Sequence, residues 1–146
     1  MRTFLVKDKK PICCWGSLPD GVLYRGEVPS GYNLGISPTP GYIIIDIDKH
    51  DGGKNGFDIV PGQIMQELLS TLHYKTKHDG MHCWFKYTGT KILANKTCGK
   101  GIDLRTEKGY VVWWPKRSIE ECMNEVKETS PFMNEWLEGL FCYKVK

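Results

Sequence analysis

The sequence predicts an α+β fold, a largely antiparallel sheet with helices packed on it, from three observations. The run Gly41-Tyr42-Ile43-Ile44-Ile45-Asp46-Ile47-Asp48 is rich in β-branched residues and reads as a buried strand that ends in two acids. Ile64, Met65, Leu68, Leu69 and Leu72 recur at helical spacing after Pro61. The other apolar segments are short, alternate with polar residues and are separated by turns rich in Gly and Pro.

Up to Pro40 the chain is dense in turn signals, namely Pro11, Gly16, Pro19-Asp20-Gly21, Pro29-Ser30-Gly31 and Pro38-Thr39-Pro40-Gly41. Short strands are expected between them, over residues 3–7, 22–25 and 32–36. After Asp48 comes a polar loop, Lys49-His50-Asp51-Gly52-Gly53-Lys54-Asn55-Gly56. Pro61 stands where a first helical turn begins, and the stripe behind it predicts a helix of about twelve residues. Residues 82–87 alternate as a strand, and residues 101–105 with 109–114 read as a hairpin. Its turn, Thr106-Glu107-Lys108-Gly109, offers Gly109 for a positive φ. Ser118 with Glu121 forms a capping-box pattern for a helix through Lys127, and Pro131 starts a last helix carrying Phe132, Trp136, Leu137 and Leu140. No internal repeat, low-complexity tract or linker interrupts the chain, so residues 1–146 are expected to form a single compact domain.

Composition excludes several classes. A chain of 146 residues can bury a sizeable core, and its 40% hydrophobic and 25% charged content is that of a soluble globular domain. No apolar stretch approaches the ~18 residues that span a bilayer, and the first ten residues lack the long apolar region of a secretory signal. The expectation is a cytoplasmic protein without a membrane partner. The six cysteines, at positions 13, 14, 83, 98, 122 and 142, form no Cys-x-x-Cys pair. They are expected to be free thiols, with a zinc site from distant Cys and His as the weaker alternative. The net charge of +3 permits contact with nucleic acid without requiring it.

Three segments carry candidate chemistry. Side chains on a strand repeat their direction every two residues, so Asp46 and Asp48 share a face, with Cα atoms about 7 Å apart. Two carboxylates on one face repel unless something positive lies between them, and oxygen ligands suit Mg²⁺ or Mn²⁺. The alternative is a strand running into a polar loop with Asp48 solvated. The second segment, Asp79-Gly80-Met81-His82, places a histidine at the start of an apolar strand just after a turn. At the sheet rim, His82 could ligate a metal, donate to a phosphate oxygen or serve packing alone. The third, Gly101-Ile102-Asp103-Leu104-Arg105, puts Asp103 and Arg105 on one face, either as a simple ion pair or as a third metal carboxylate with a phosphate-binding cation. Trp113 and Trp114 must face opposite sides of their strand, one for a core and one able to stack on a base. Trp84 and Trp136 read as structural, and His50, His73 and His78 receive no assignment. The loop from Lys49 to Lys54 reads equally as solvated or as touching a phosphate or template.

The order of these segments is more specific than any one of them. An acid pair ending a strand, a Gly-x-His strand and a Gly-x-Asp-x-Arg segment leading to an apolar strand and Pro115 resemble the bifunctional DNA primase/polymerase (Prim-Pol) domain of the archaeo-eukaryotic primase superfamily. The resemblance runs from about Tyr32 to Pro115, and Lys9-Lys10-Pro11-Ile12 before Trp15 is similar to the family's opening. It implies the primase-polymerase fold, with a mainly antiparallel, RRM-like sheet flanked by helices. It also implies a metal-dependent nucleotidyltransferase of DNA replication that uses Mg²⁺ or Mn²⁺ and nucleoside triphosphates on a single-stranded DNA template. Asp46, Asp48 and Asp103 match the metal-binding catalytic acids, and His82 matches the histidine on the incoming nucleotide's phosphates. Arg105 and Lys116 are further candidates for nucleotide contact, Lys116 because it stands with Arg117 and Ser118 where the family has a Pro-Ser element.

The chain departs from the pattern where the family's Gly-Gly-Arg-His turn reads Asp79-Gly80-Met81-His82, and Asp79 is tolerable near a triphosphate only if it faces away. With no helicase or zinc module following, the resemblance implies a partner such as a replicative helicase or another primase subunit. It also implies a phage- or plasmid-encoded replication system, hence the host cytoplasm. Two other readings stand beside it. One is a non-catalytic primase-like module binding nucleic acid or a replication protein. The other is an Asp-x-Asp glycosyltransferase acting on nucleotide sugars, against which the later His and Gly-x-Asp-x-Arg segments argue.

Overall fold

The computed structural model describes residues 1–49 and 54–143. Among the described residues it has two sheets and three α-helices. The first sheet contains β1 (Arg2–Lys7), β2 (Lys10–Pro11), β3 (Asn33–Ser37) and β9 (Val111–Val112), in the order β2-β1-β3-β9, with every pairing antiparallel. The second contains β4 (Tyr42–Ile47), β5 (His73–Lys75), β6 (Met81–Lys86), β7 (Lys96–Thr97), β8 (Ile102–Arg105) and β10 (Lys127–Glu128). Its order is β10-β6-β4-β8-β7, with β5 also paired to β6; only β10 is parallel to its neighbour. The helices are α1 (Gly62–Ser70), α2 (Ile119–Met123) and α3 (Pro131–Phe141).

The two faces of β4 carry different duties, as its period of two requires. Ile43, Ile45 and Ile47 join Cys83, Phe85, Ile102 and Leu104 in a core closed by Ile64 and Leu68 of α1 and by Met133, Leu137 and Phe141 of α3. Ile44, on the other face, packs with Trp84, Leu72 and Cys122 against Ile36 of β3 and Val111 of β9. One face of the second sheet thus meets α1 and α3, and the other meets α2 and the first sheet at its apolar end. Beyond that end the face turns polar at Asp46, and there the site lies.

The mixed helix and antiparallel sheet agree with the α+β expectation, and several local expectations are corrected. The segment 22–25 is not a strand; it crosses β1 with Val22 O accepting from Thr3 N at 3.1 Å, while Tyr24 N donates to the Thr3 hydroxyl instead of to a ladder carbonyl. Residues 101–105 and 109–114 do not form a hairpin. β8 pairs with β4 and β7, whereas β9 pairs with β3 in the other sheet, because Ile102 and Leu104 belong to the helix-side core and Val111 to the inter-sheet core. Gly109 has no positive φ; a Cβ there would stand 2.2 Å from Asn95 Oδ1, whose oxygen also accepts from Thr106 N.

The helix after Pro61 spans nine residues, not twelve. Thr71 ends it by donating its hydroxyl to Trp84 O and accepting from Lys127 N, which ties β6 and β10 together and sends Leu72 into the inter-sheet core. Leu69 of the expected apolar stripe is 52% exposed. Likewise α2 stops at Met123, since residues 127–128 are needed as a strand beside β6. Ser118 caps α2 as expected, accepting from Glu121 N, and Pro131 opens α3. Among the described residues no helix is long and apolar enough to cross a membrane.

Candidate active site

Register assembles the site. Asp46 of β4 lies directly opposite His82 of β6 on one side and Asp103 of β8 on the other, and Tyr74 of β5 lies opposite His82. A row Tyr74–His82–Asp46–Asp103 therefore crosses four strands on one face, with cross-strand neighbours close enough to interact directly. Asp48 stands just past the end of β4 on that same face. One carboxylate oxygen each from Asp46, Asp48 and Asp103 lies within 4.8 Å of the other two, the spacing of ligands around one cation. All three side chains are half-buried.

Two glycines hold this geometry. A Cβ on Gly80 would meet Ile47 O at 2.5 Å, so only glycine lets the turn before His82 press against the end of β4. Gly101, at φ +88°, lies against Gly56, while its carbonyl accepts from Asp48 N at 2.8 Å and Asp48 O accepts from Gly56 N at 2.9 Å. That backbone clasp fixes where the Asp48 carboxylate begins.

The electrostatics of the acid cluster favour a cation. Asp46 Oδ1 is buried and lies 3.3 Å from His82 Nε2, yet the contact is out of line and the oxygen accepts no hydrogen bond among the described residues. A buried carboxylate oxygen beside two further carboxylates is costly unless a cation meets it. The donor set is all oxygen, which fits a hard divalent ion rather than zinc held by thiolates. All six cysteines are free. Cys83, beneath Asp46, has its thiol pushed up by burial and then by the Asp46 charge, so it stays protonated and is a poor ligand. Arg105 bonds Asp103 Oδ2 at 3.2 Å, so the ion pair and the acid cluster coexist.

His82 is held from behind. Trp84 Nε1 donates to the Tyr74 hydroxyl at 3.0 Å, and that hydroxyl lies 3.3 Å from His82 Nδ1. The phenol hydrogen is then available to Nδ1, an arrangement that places the imidazole N–H on Nε2, toward Asp46. Burial, ahead of the Asp46 charge, raises the Tyr74 pKa well above its ordinary value, so the phenol remains a donor. Tyr74→Phe is expected to lower unfolding free energy by about 1–3 kcal/mol, because it leaves the Trp84 N–H without an acceptor. Urea denaturation measures this, and an unchanged midpoint would remove Tyr74 from the site's framework.

Two clefts meet at the acids. The larger, about 760 Å³, has Asp46, His82, Arg105, Lys77 and His78 among its lining, with Tyr32, Tyr110 and Trp114 from the side of the first sheet. The smaller, about 350 Å³, is lined by Asp48, Asp103 and Arg105 with Lys54, Thr97, Gly99 and Gly101. The structure thus brings Asp46, Asp48, Asp103, His82 and Arg105 together. Lys116 is exposed after Pro115 and lines neither cleft; its neighbour Arg117 pairs with Glu125 and Ser118 caps α2. Asp79 is exposed and lines neither cleft, while Lys77 and His78 of the same turn do line the larger one. Trp113 packs in the inter-sheet core against Tyr74 and Trp84, which leaves Trp114 to the cleft. Trp84 is fully buried and Trp136 packs on the helix-side core.

Sequence reasoning missed Tyr74, His78, Tyr32 and Tyr110. The only local signal for Tyr74 was its place in a three-residue strand, too short to be read from periodicity. Of the polar loop from Lys49 to Lys54, residues 50–53, including His50, lie outside the described residues.

A family model described as "Bifunctional DNA primase/polymerase, N-terminal" matches residues 6–132. No curated protein matches the chain.

Proposed function

The chain belongs to the bifunctional DNA primase/polymerase family, and we propose that it is a nucleotidyltransferase that makes or extends primers on single-stranded DNA from nucleoside triphosphates. The observation that carries this reading is the cluster of Asp46, Asp48 and Asp103, each with a carboxylate oxygen within 4.8 Å of the other two, beside a histidine held by Tyr74, while Asp46 Oδ1 is buried and accepts no hydrogen bond among the described residues. A module that only bound nucleic acid would have no use for three clustered, half-buried carboxylates.

The acids would hold Mg²⁺ or Mn²⁺, and the bound ion supplies the Lewis acidity that makes a 3′-hydroxyl nucleophilic and offsets charge on the phosphates. The chain's own groups do the rest. Asp46, between His82 and Asp103 in the row, would hold the cation beside the histidine. His82 presents Nε2–H to a phosphate oxygen and contributes position and a hydrogen bond rather than proton abstraction, since Tyr74 occupies its other nitrogen. Arg105 is anchored by one bond to Asp103 and lines both clefts, so its other N–H groups can bond phosphate oxygens on either side. Lys54 Nζ donates to Gly99 O in the smaller cleft and adds positive charge there.

The test incubates the protein with single-stranded DNA and labelled ribo- or deoxyribonucleoside triphosphates, with Mn²⁺, with Mg²⁺ and with EDTA. Labelled, template-complementary product that requires the cation is expected. Absence of product under every condition from folded protein would overturn the catalytic reading in favour of a non-catalytic module.

A further inference from the structure

Trp114 differs from Trp15, Trp84 and Trp113 in its surroundings. Trp15 stacks on Phe4, Trp84 donates to Tyr74, and Trp113 packs edge-on to Tyr74 and Trp84. Trp114 is half-buried in the wall of the larger cleft, and among the described residues it has no ring partner and its indole N–H no acceptor. A large planar side chain left with an open face in a polar cleft is suited to a planar ligand.

Its surroundings indicate what kind. Tyr32 and Tyr110 line the same wall, and both are anchored. Tyr110 donates its hydroxyl to Lys9 O at 2.8 Å and meets Trp15 and Phe4 edge-on, while the Lys7 ammonium lies 5.3 Å from the centre of the Tyr32 ring. The turn between β1 and β2 holds Lys9 in the left-handed region at φ 66°, where it lines the cleft. Lys77 lines the cleft from the second sheet, and Asp8 is the one acid on this side. The opposite wall holds Asp46, His82 and Arg105, the groups already assigned to cation and phosphates. Aromatic faces interleaved with lysines, along a cleft open to solvent, match a single strand whose bases stack and whose phosphates follow the positive charge.

Resting on the nucleotidyltransferase reading, we propose that this aromatic wall seats the single-stranded DNA template, with one base stacked on Trp114 and the backbone passing Lys7 and Lys9. The strand then lies across the cleft from the acids, which leaves the phosphate-binding wall to the incoming nucleotide. The site needs no cation, so it is testable apart from catalysis.

The experiment measures binding of a fluorescent oligothymidylate by anisotropy in EDTA, without nucleoside triphosphates, over a series of salt concentrations. Trp114→Ala is expected to weaken binding about 5- to 100-fold, and Trp114→Phe to recover most of it, because stacking survives in phenylalanine. Lys7→Ala/Lys9→Ala, both on exposed positions, is expected to reduce the slope of log K against log salt by roughly 1 to 1.5. Undiminished oligonucleotide binding by Trp114→Ala, or a rise only in the KM for nucleotide, would overturn the proposal and assign the face to the incoming base. Should Trp114→Ala fail to fold, an unchanged salt slope in the lysine variant overturns it alone. Weakened binding in a protein that makes no product would leave this proposal standing and sink the catalytic reading; normal product with unchanged binding would do the reverse.

Discussion

Asp46→Asn is expected to reduce nucleotide incorporation by at least about 10³-fold, or roughly 4 kcal/mol of transition-state stabilisation at 1.36 kcal/mol per tenfold, without loss of the folded state. Asp46 is the carboxylate that register places between His82 and Asp103, so it is the acid that adjoins both the histidine and the rest of the acid cluster. Its Oδ1 accepts no hydrogen bond among the described residues, so the amide forfeits no bond at that atom. Removing one of three clustered negative charges also relieves repulsion, and the variant's thermal midpoint without cation should equal or exceed the parent's. Binding to the native state stabilises by mass action, about 2.7 kcal/mol at a cation concentration 100 times Kd, and Asp46→Asn should lose most of that gain. Calorimetry with and without Mn²⁺, beside the incorporation assay, measures both effects. Retained incorporation, or an unchanged Mn²⁺-dependent shift in midpoint, would remove Asp46 from the metal centre.

Gly101→Ala is expected to destabilise the fold by about 2 kcal/mol or more and to weaken cation binding, though residue 101 contributes no side chain to the acid cluster. A φ of +88° is poorly tolerated by alanine, at a cost of about 1–2 kcal/mol. The new Cβ would also stand 2.7 Å from Gly56 N and 3.0 Å from Gly56 Cα, a clash with backbone that no side-chain rotation relieves. Because Gly101 O accepts from Asp48 N and Asp48 O accepts from Gly56 N, any shift that relieves the clash moves Asp48 relative to Asp46 and Asp103. Urea denaturation reports the first effect and Mn²⁺ titration of the folded variant the second. An alanine variant with parental stability and cation affinity would show that the clasp does not set the position of Asp48.

Locally encoded features were legible in the sequence by itself. The period of two put Asp46 with Asp48 and Asp103 with Arg105 on shared faces, the glycine before the histidine strand marked a turn, and the apolar spacing and capping residues located α1, α2 and α3. Each of these depends on the backbone geometry of a few consecutive residues, so a few consecutive residues suffice to read it. Tertiary structure alone decided the rest. It aligned Asp46 with His82 and Asp103, sent residues 102–105 and 111–112 to different sheets, shortened α1 and α2, brought Tyr74 behind His82, and chose Trp114 over Trp113 for the cleft. These are matters of register and partner. A strand's own sequence states which residues share a face, but which strand lies beside it, and at what offset, follows from burying two apolar faces at once, against α1 and α3 on one side and against α2 and a second sheet on the other.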